Sequence, residues 1–228
     1  MHAIGIRIIY YRFCKEFRCD CPGKYAFNPA MRTSYDDVTI FKRYSFNMEL
    51  SAEVGKAIHI FEVLLRNSIT KNWNEINNCS DWPQNKIGIP KEKAYERILE
   101  DIDGAKKRVK KKDINNDDVI ASLMLGFWLR MLEPKFDEQN ILLIKKIFSN
   151  KRDWNSRLIT DIRKLHEDID KISYLRNRIS HHEPIFHWRD LGEKYDLIVN
   201  LIKYIDEESL YLLRENQLKY LLTSGWNK

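Results

Sequence analysis

Leu158, Ile162, Leu165, Ile169, Ile172, Leu175 and Ile179 recur at steps of four and three. No other pattern in the chain limits its fold so firmly. Apolar residues at that spacing line one face of a helix, so the run predicts a long amphipathic helix over about 153–182. Ile58, Phe61, Leu64, Leu65 and Ile69 repeat the spacing inside a second long helix, expected over about 47–76. Further helices are expected over about 91–112, through "VIASLMLGFWLRML" after the capping residues "NNDD" at 115–118, and over about 137–149, 190–205 and 206–223. Pro134 is expected to end the helix through "VIASLMLGFWLRML". Only 8 Gly and 6 Pro punctuate 228 residues, which favours long helices over short strands joined by tight turns. The expected fold class is all-α, a helical bundle with additional peripheral helices.

No internal repeat, Ser- or Gly-rich linker or low-complexity tract divides the chain, so residues 33–228 read as a single domain. Residues 1–32 read as a peripheral arm, in which "IRIIYYRF" suits a short strand or an extra helix and "CPGKYAFNPA" a loop. Arg7 and Arg12 interrupt the apolar start and no small-residue cleavage site follows, so a signal peptide is not expected. No apolar run approaches the roughly 18 residues of a membrane span, and no membrane association is expected. Cys14, Cys19 and Cys21 have C-x4-C-x-C spacing, which does not match the usual zinc patterns. With Cys79 they are expected to be reduced thiols of a cytoplasmic protein. His59, His166 and His187 lack metal-ligand spacing, and no cofactor is expected.

The chemistry concentrates in "YLRNRISHHEPIF", residues 174–186. At about 100° per residue, Asn177 and His181 share a helix face one turn apart, with Arg176 on an adjoining face. Pro184 disfavours helical geometry at Glu183, so the helix should end near His181 or His182. A helix C-terminus favours a cation, which should ease protonation of the imidazoles. A histidine exchanging protons beside a fixed guanidinium suits phosphodiester chemistry: imidazole as general base or acid, arginine neutralising phosphate oxygens. Asn177 can hold the His181 ring by a hydrogen bond. On residue types alone a plainer reading stays open, in which Arg176 and His182 are surface groups and His181 caps the helix.

The net charge of +6 and pI of about 9.0 suit a polyanionic partner. The run Lys106, Lys107, Arg108, Lys110, Lys111, Lys112 at the end of the expected basic helix is either a solvated face or an RNA-backbone contact. Glu62 and Arg66, four apart, are expected to pair with each other, with a role for Arg66–Asn67 in positioning the motif helix as the alternative. In "GFW", 126–128, Gly126 is expected to permit close helix approach while Phe127 and Trp128 fill the core, with a base-stacking platform as the alternative.

"LRNRISHHEPIF" resembles the R-N-x-x-x-H-H block of the Abi-like (abortive infection) branch of the HEPN superfamily. "FEVLLRNSI" (61–69) is similar to its E-V-x-L-R-N helix, and "DDVIASLMLGFWLRML" (117–132) to its D-x-V-I-A-x-L-x-x-G-F-W block. "SYDDVTIFKRYSFNMELSAEVGKA" reads like the family's lead-in, and the resemblance spans about residues 33–205. It implies an HEPN-type helical bundle, usually dimeric, that acts in phage defence or as the toxin of a toxin–antitoxin pair. It also implies a metal-independent endoribonuclease, with Arg176, Asn177 and His181 at the motif positions and His182 at the common second histidine. The implied partners are RNA as substrate, a protein or noncoding-RNA antitoxin, and a second copy of the chain. Inactive HEPN proteins exist, so a catalytically silent RNA-binding or protein-interaction subunit is the alternative.

Overall fold

The structure, a computed structural model, describes residues 37–133, 138–213 and 217–224. The proposed arm, Cys14, Cys19, Cys21 and Pro134 lie outside the described residues. Eight α-helices are present among those described, joined by turns and two short 3-10 segments, and no strand occurs among them. No described helix is long and apolar enough to cross a membrane.

The organising element is α1, Asp37–Ile76, whose 40 residues span about 60 Å. It begins well before residue 47, so residues 37–57 of the lead-in segment belong to it. Leu50, Val54, Ala57, Ile58, Phe61, Leu65, Ile69 and Trp73 form its buried stripe, with Leu64 packed at the edge. It stops at Asn78, whose left-handed backbone (φ 46°) lets the Cys79 amide turn back to the Asn74 carbonyl at 3.0 Å. Cys79 is a free thiol; burial pushes its pKa up.

A 3-10 turn at Lys93–Tyr95 leads into α2, Glu96–Arg108, then α3, Asn116–Ser122, and α4, Leu125–Met131. After α5, Glu138–Ile147, come α6, Leu158–Ser180, and α7, Leu191–Ile205. A second 3-10 turn, Glu208–Leu212, precedes α8, Gln217–Ser224. Helix α1 packs against α4, α5, α6, α7 and α8, while α2 leans on α3 and α4 to one side.

Four expectations need correction. The basic helix stops at Arg108, so Lys110, Lys111 and Lys112 lie in the following loop, where Lys111 pairs with Asp118. The helix over 119–132 is two helices, because Leu123 and Leu125 are both buried while Met124 is 65% exposed. In a continuous helix those two leucines would diverge by about 200°, whereas extended backbone points alternate residues the same way. Helix α6 starts at Leu158 rather than 153, after a loop in which the Asn155 amide donates to Asp161. The expected helix over 206–223 is interrupted too. There the Asp206 side chain accepts from the Glu208 amide and the Ser209 hydroxyl, favouring a tight 3-10 turn. The capping residues expected at "NNDD" are in place, and they form a capping box: Asn115 Oδ1 accepts from the Asp118 amide at 2.8 Å and Asp118 reaches back to the Asn115 amide.

Candidate functional site

Helix α6 buries Ile162, Leu165, Ile169, Ile172 and Leu175, and this stripe sets where the motif points. With Leu175 fixed inward, Arg176 is half-buried and Asn177 exposed one and two residues further round. His181 is the C-cap: its amide donates to the Asn177 carbonyl at 3.0 Å. His182 then takes left-handed backbone (φ 57°), which turns the chain sharply so that Pro184 and Ile185 enter the core. The helix therefore ends where Pro184 required.

The turn after the histidines is tightly held. Asn47, a buried side chain of α1, accepts from the amides of Ile185 at 2.7 Å and Phe186 at 3.2 Å and faces the Glu183 carbonyl at 3.5 Å. Arg178 and Glu183 form an ion pair across the turn, and the Glu183 amide donates to the Arg178 carbonyl at 2.9 Å. The imidazoles of His181 and His182 stand exposed on this scaffold, and neither is hydrogen-bonded among the described residues. The expected Asn177–His181 side-chain bond is not formed; Asn177 Oδ1 instead faces Arg176 Nη1 at 3.5 Å.

Arg176 is gripped from α1. Its Nε donates to Glu62 Oε1 at 3.1 Å, so Glu62 pairs across helices rather than with Arg66, whose Nε is buried without a hydrogen-bond partner among the described residues. Glu62 was visible in "FEVLLRN", yet only the packing of α1 on α6 shows which arginine it meets. The Nη2 of Arg176 has no partner among the described residues.

Arg176 and Asn177 line a cavity of about 260 Å³ between α6, the α3–α4 break and the end of α2. Arg108 and Arg130 line it as well, so the fold gathers three guanidinium groups that are far apart in sequence. Arg108 Nη2 donates to the Ser122 carbonyl at 2.7 Å, satisfying a group that the helix break leaves open. Arg130 pairs with Asp101, its Nε at 2.8 Å from Oδ2. Of the basic run, Arg108 alone is a lining residue; Lys106 and Lys107 lie on the last turn of α2, and Lys110, Lys111 and Lys112 in the loop beyond it.

Phe127 and Trp128 are core residues, as the packing reading of "GFW" requires. They meet edge to face at 4.8 Å between ring centroids, and Trp82 stacks on Trp73 at 5.2 Å beside them. Gly126 does not admit a neighbouring helix. A Cβ there would meet only the Arg130 guanidinium, at 3.6 Å, and the missing side chain leaves the cavity open. Arg130 and Asp101 were not singled out in the sequence, where nothing in their local spacing marks them.

These features define an all-helical protein with an arginine-lined cavity beside a two-histidine helix end. The family model described as "Abi-like protein" matches residues 6–187, and the chain belongs to that family. The match starts inside the segment read as an arm and ends before α7. Membership points to a function related to abortive infection. Comparison with curated proteins and with solved structures finds no match.

Proposed function

We propose that the chain is a metal-independent endoribonuclease of HEPN type, acting as an abortive-infection or toxin effector in phage defence. The observation that carries the proposal is the meeting of Arg176 and Asn177 with Arg108 and Arg130 around one cavity, while the backbone amide of His181, one turn beyond, donates to the Asn177 carbonyl. Guanidinium groups neutralise phosphate oxygens, and an exposed imidazole exchanges protons. In the reaction His181 takes the proton of an RNA 2′-hydroxyl, and that oxygen attacks the adjacent phosphorus. The bond to the 5′ oxygen breaks, the departing oxygen is protonated, and the products carry 2′,3′-cyclic phosphate and 5′-hydroxyl ends. Arg176 stabilises the charge that develops on phosphorus oxygens.

One Arg–His set is sparse machinery for both proton transfers. A homodimer with its motif helices facing across a two-fold axis supplies two sets to one cleft, with RNA as the substrate and a protein or noncoding-RNA antitoxin as the restraint. The exposure of His181 and His182 in the single chain suits such an arrangement. A second reading is a catalytically silent RNA-binding or protein-interaction subunit, favoured by the Glu62 carboxylate that already engages Arg176. Expression of wild type against His181→Ala separates the two. Growth arrest with fragmented RNA in wild type and relief in His181→Ala support the enzyme. Equal effects of both chains support the silent subunit.

A further inference from the structure

The cavity beside Arg176 has more polar equipment than neutralising one phosphate requires. Its inner wall carries Asp101, whose Oδ2 takes both contacts from Arg130. Asp101 Oδ1 accepts no hydrogen bond among the described residues, although the residue lines the cavity. A carboxylate oxygen left open beside three arginines repels phosphate but accepts from an N–H donor. Leu123, Leu125 and Phe127 add apolar wall, exposed Met124 stands at the break, and Arg108 sits exposed at the end of α2.

The volume decides the size of the occupant. Pockets for drug-sized ligands run to about 300–1,000 Å³, so 260 Å³ suits one nucleotide unit rather than a longer stretch of chain. We infer that this cavity is a subsite for one nucleotide of single-stranded RNA, with the phosphate at Arg108 and an amino-bearing base against Asp101. Cytosine, adenine and guanine present an amino donor to such a carboxylate, whereas uracil presents two carbonyls that repel it on either side of its single N3–H. Apolar wall and guanidinium planes supply stacking that any base accepts. This inference rests on the ribonuclease reading for its place beside the cleaved bond, but the binding itself needs no cleavage.

Gly126 makes the cavity testable without disturbing the motif. A Cβ at 126 meets the Arg130 guanidinium only at ordinary van der Waals distance, 3.6 Å, and replacing a helical glycine favours the helix. The experiment measures binding of 2′-O-methyl oligocytidine and oligouridine dodecamers, which have no 2′-hydroxyl to attack with. Wild type is expected to bind oligocytidine about tenfold more tightly, as one charge-assisted hydrogen bond supplies. Gly126→Leu should bring oligocytidine down to the oligouridine level. Arg108→Gln, at an exposed position, should weaken both and reduce the salt dependence. Equal binding of the two oligomers by wild type, or a preference that survives in Gly126→Leu, overturns the inference, as does no binding at all. Unmodified RNA that stays intact while the cytidine preference holds overturns the ribonuclease reading and leaves the subsite standing.

Discussion

Arg176 and Glu62 form an ion pair between α6 and α1, Nε to Oε1 at 3.1 Å, across 114 positions of sequence. The bond uses one edge of the guanidinium and orients the rest toward the cavity wall. Both side chains are partly solvated, so the pair contributes about 1 kcal/mol or less to stability. Its value lies in placement. Glu62→Ala is expected to lower RNA cleavage about tenfold to a hundredfold, as misplaced catalytic groups do, with little loss of thermal stability. Wild-type turnover in Glu62→Ala would show that Arg176 needs no such hold.

Asn47 carries a different burden, since it binds backbone rather than a side chain. Truncation to Ala leaves the amides of Ile185 and Phe186 without the acceptor they now share. Unsatisfied buried donors cost about 1–3 kcal/mol each, so Asn47→Ala should destabilise the fold by about 2 kcal/mol or more in denaturant unfolding. It should also loosen the turn that presents His181 and His182. A cleavage defect larger than the unfolded fraction accounts for is expected. A defect that tracks the unfolded fraction would make Asn47 purely structural.

The basic run divides at Arg108, and its lysines answer to a simpler rule. Replacing Lys106, Lys107, Lys110 and Lys111 with Gln should weaken RNA binding and flatten its dependence on salt, because fewer counterions are released. Stability should fall slightly if at all, the Lys111–Asp118 pair at the start of α3 being exposed. Binding measured from low to high salt checks this, and an unchanged slope would make the run a solvated face.

Asp161 gives the fold an acid limit. Its carboxylate accepts from the Asn155 amide at 2.5 Å and from Asn155 Nδ2 at 2.7 Å, and these bonds hold its pKa below the usual carboxylate value. A pKa depressed on folding means stability that is present above the unfolded value of about 3.9 and lost as pH falls through the folded one. The melting-temperature gap between wild type and Asp161→Asn should be full above about pH 5 and should narrow progressively as pH falls below about 4 toward the depressed folded pKa. A gap independent of pH would assign the effect to geometry alone.

Most helices were legible because a periodic apolar stripe is a local signal. Leu158 to Ile179 announced α6, and Pro184 announced its end. The break at Leu123–Met124 was hidden, since "LML" suits a helix until burial of both leucines is known. The same limit applied to the site. Arg176, Asn177 and the histidines stand together in sequence, whereas Glu62, Arg130, Asp101 and Asn47 join them only through the packing of α1 and α4 on α6 and of α2 on α4. Glu62 also had an arginine four residues away, and local spacing favoured that wrong partner.

In the proposed mechanism Arg176 and His181 cleave RNA through its own 2′-hydroxyl. The most direct measurement is the chemistry of the ends that the purified chain leaves on a defined RNA in EDTA, beside His181→Ala and a 2′-deoxy substrate. This mechanism predicts 2′,3′-cyclic phosphate and 5′-hydroxyl ends from wild type, and intact substrate in both controls. Cleavage that stops in EDTA, or that cuts the 2′-deoxy substrate equally well, would contradict it.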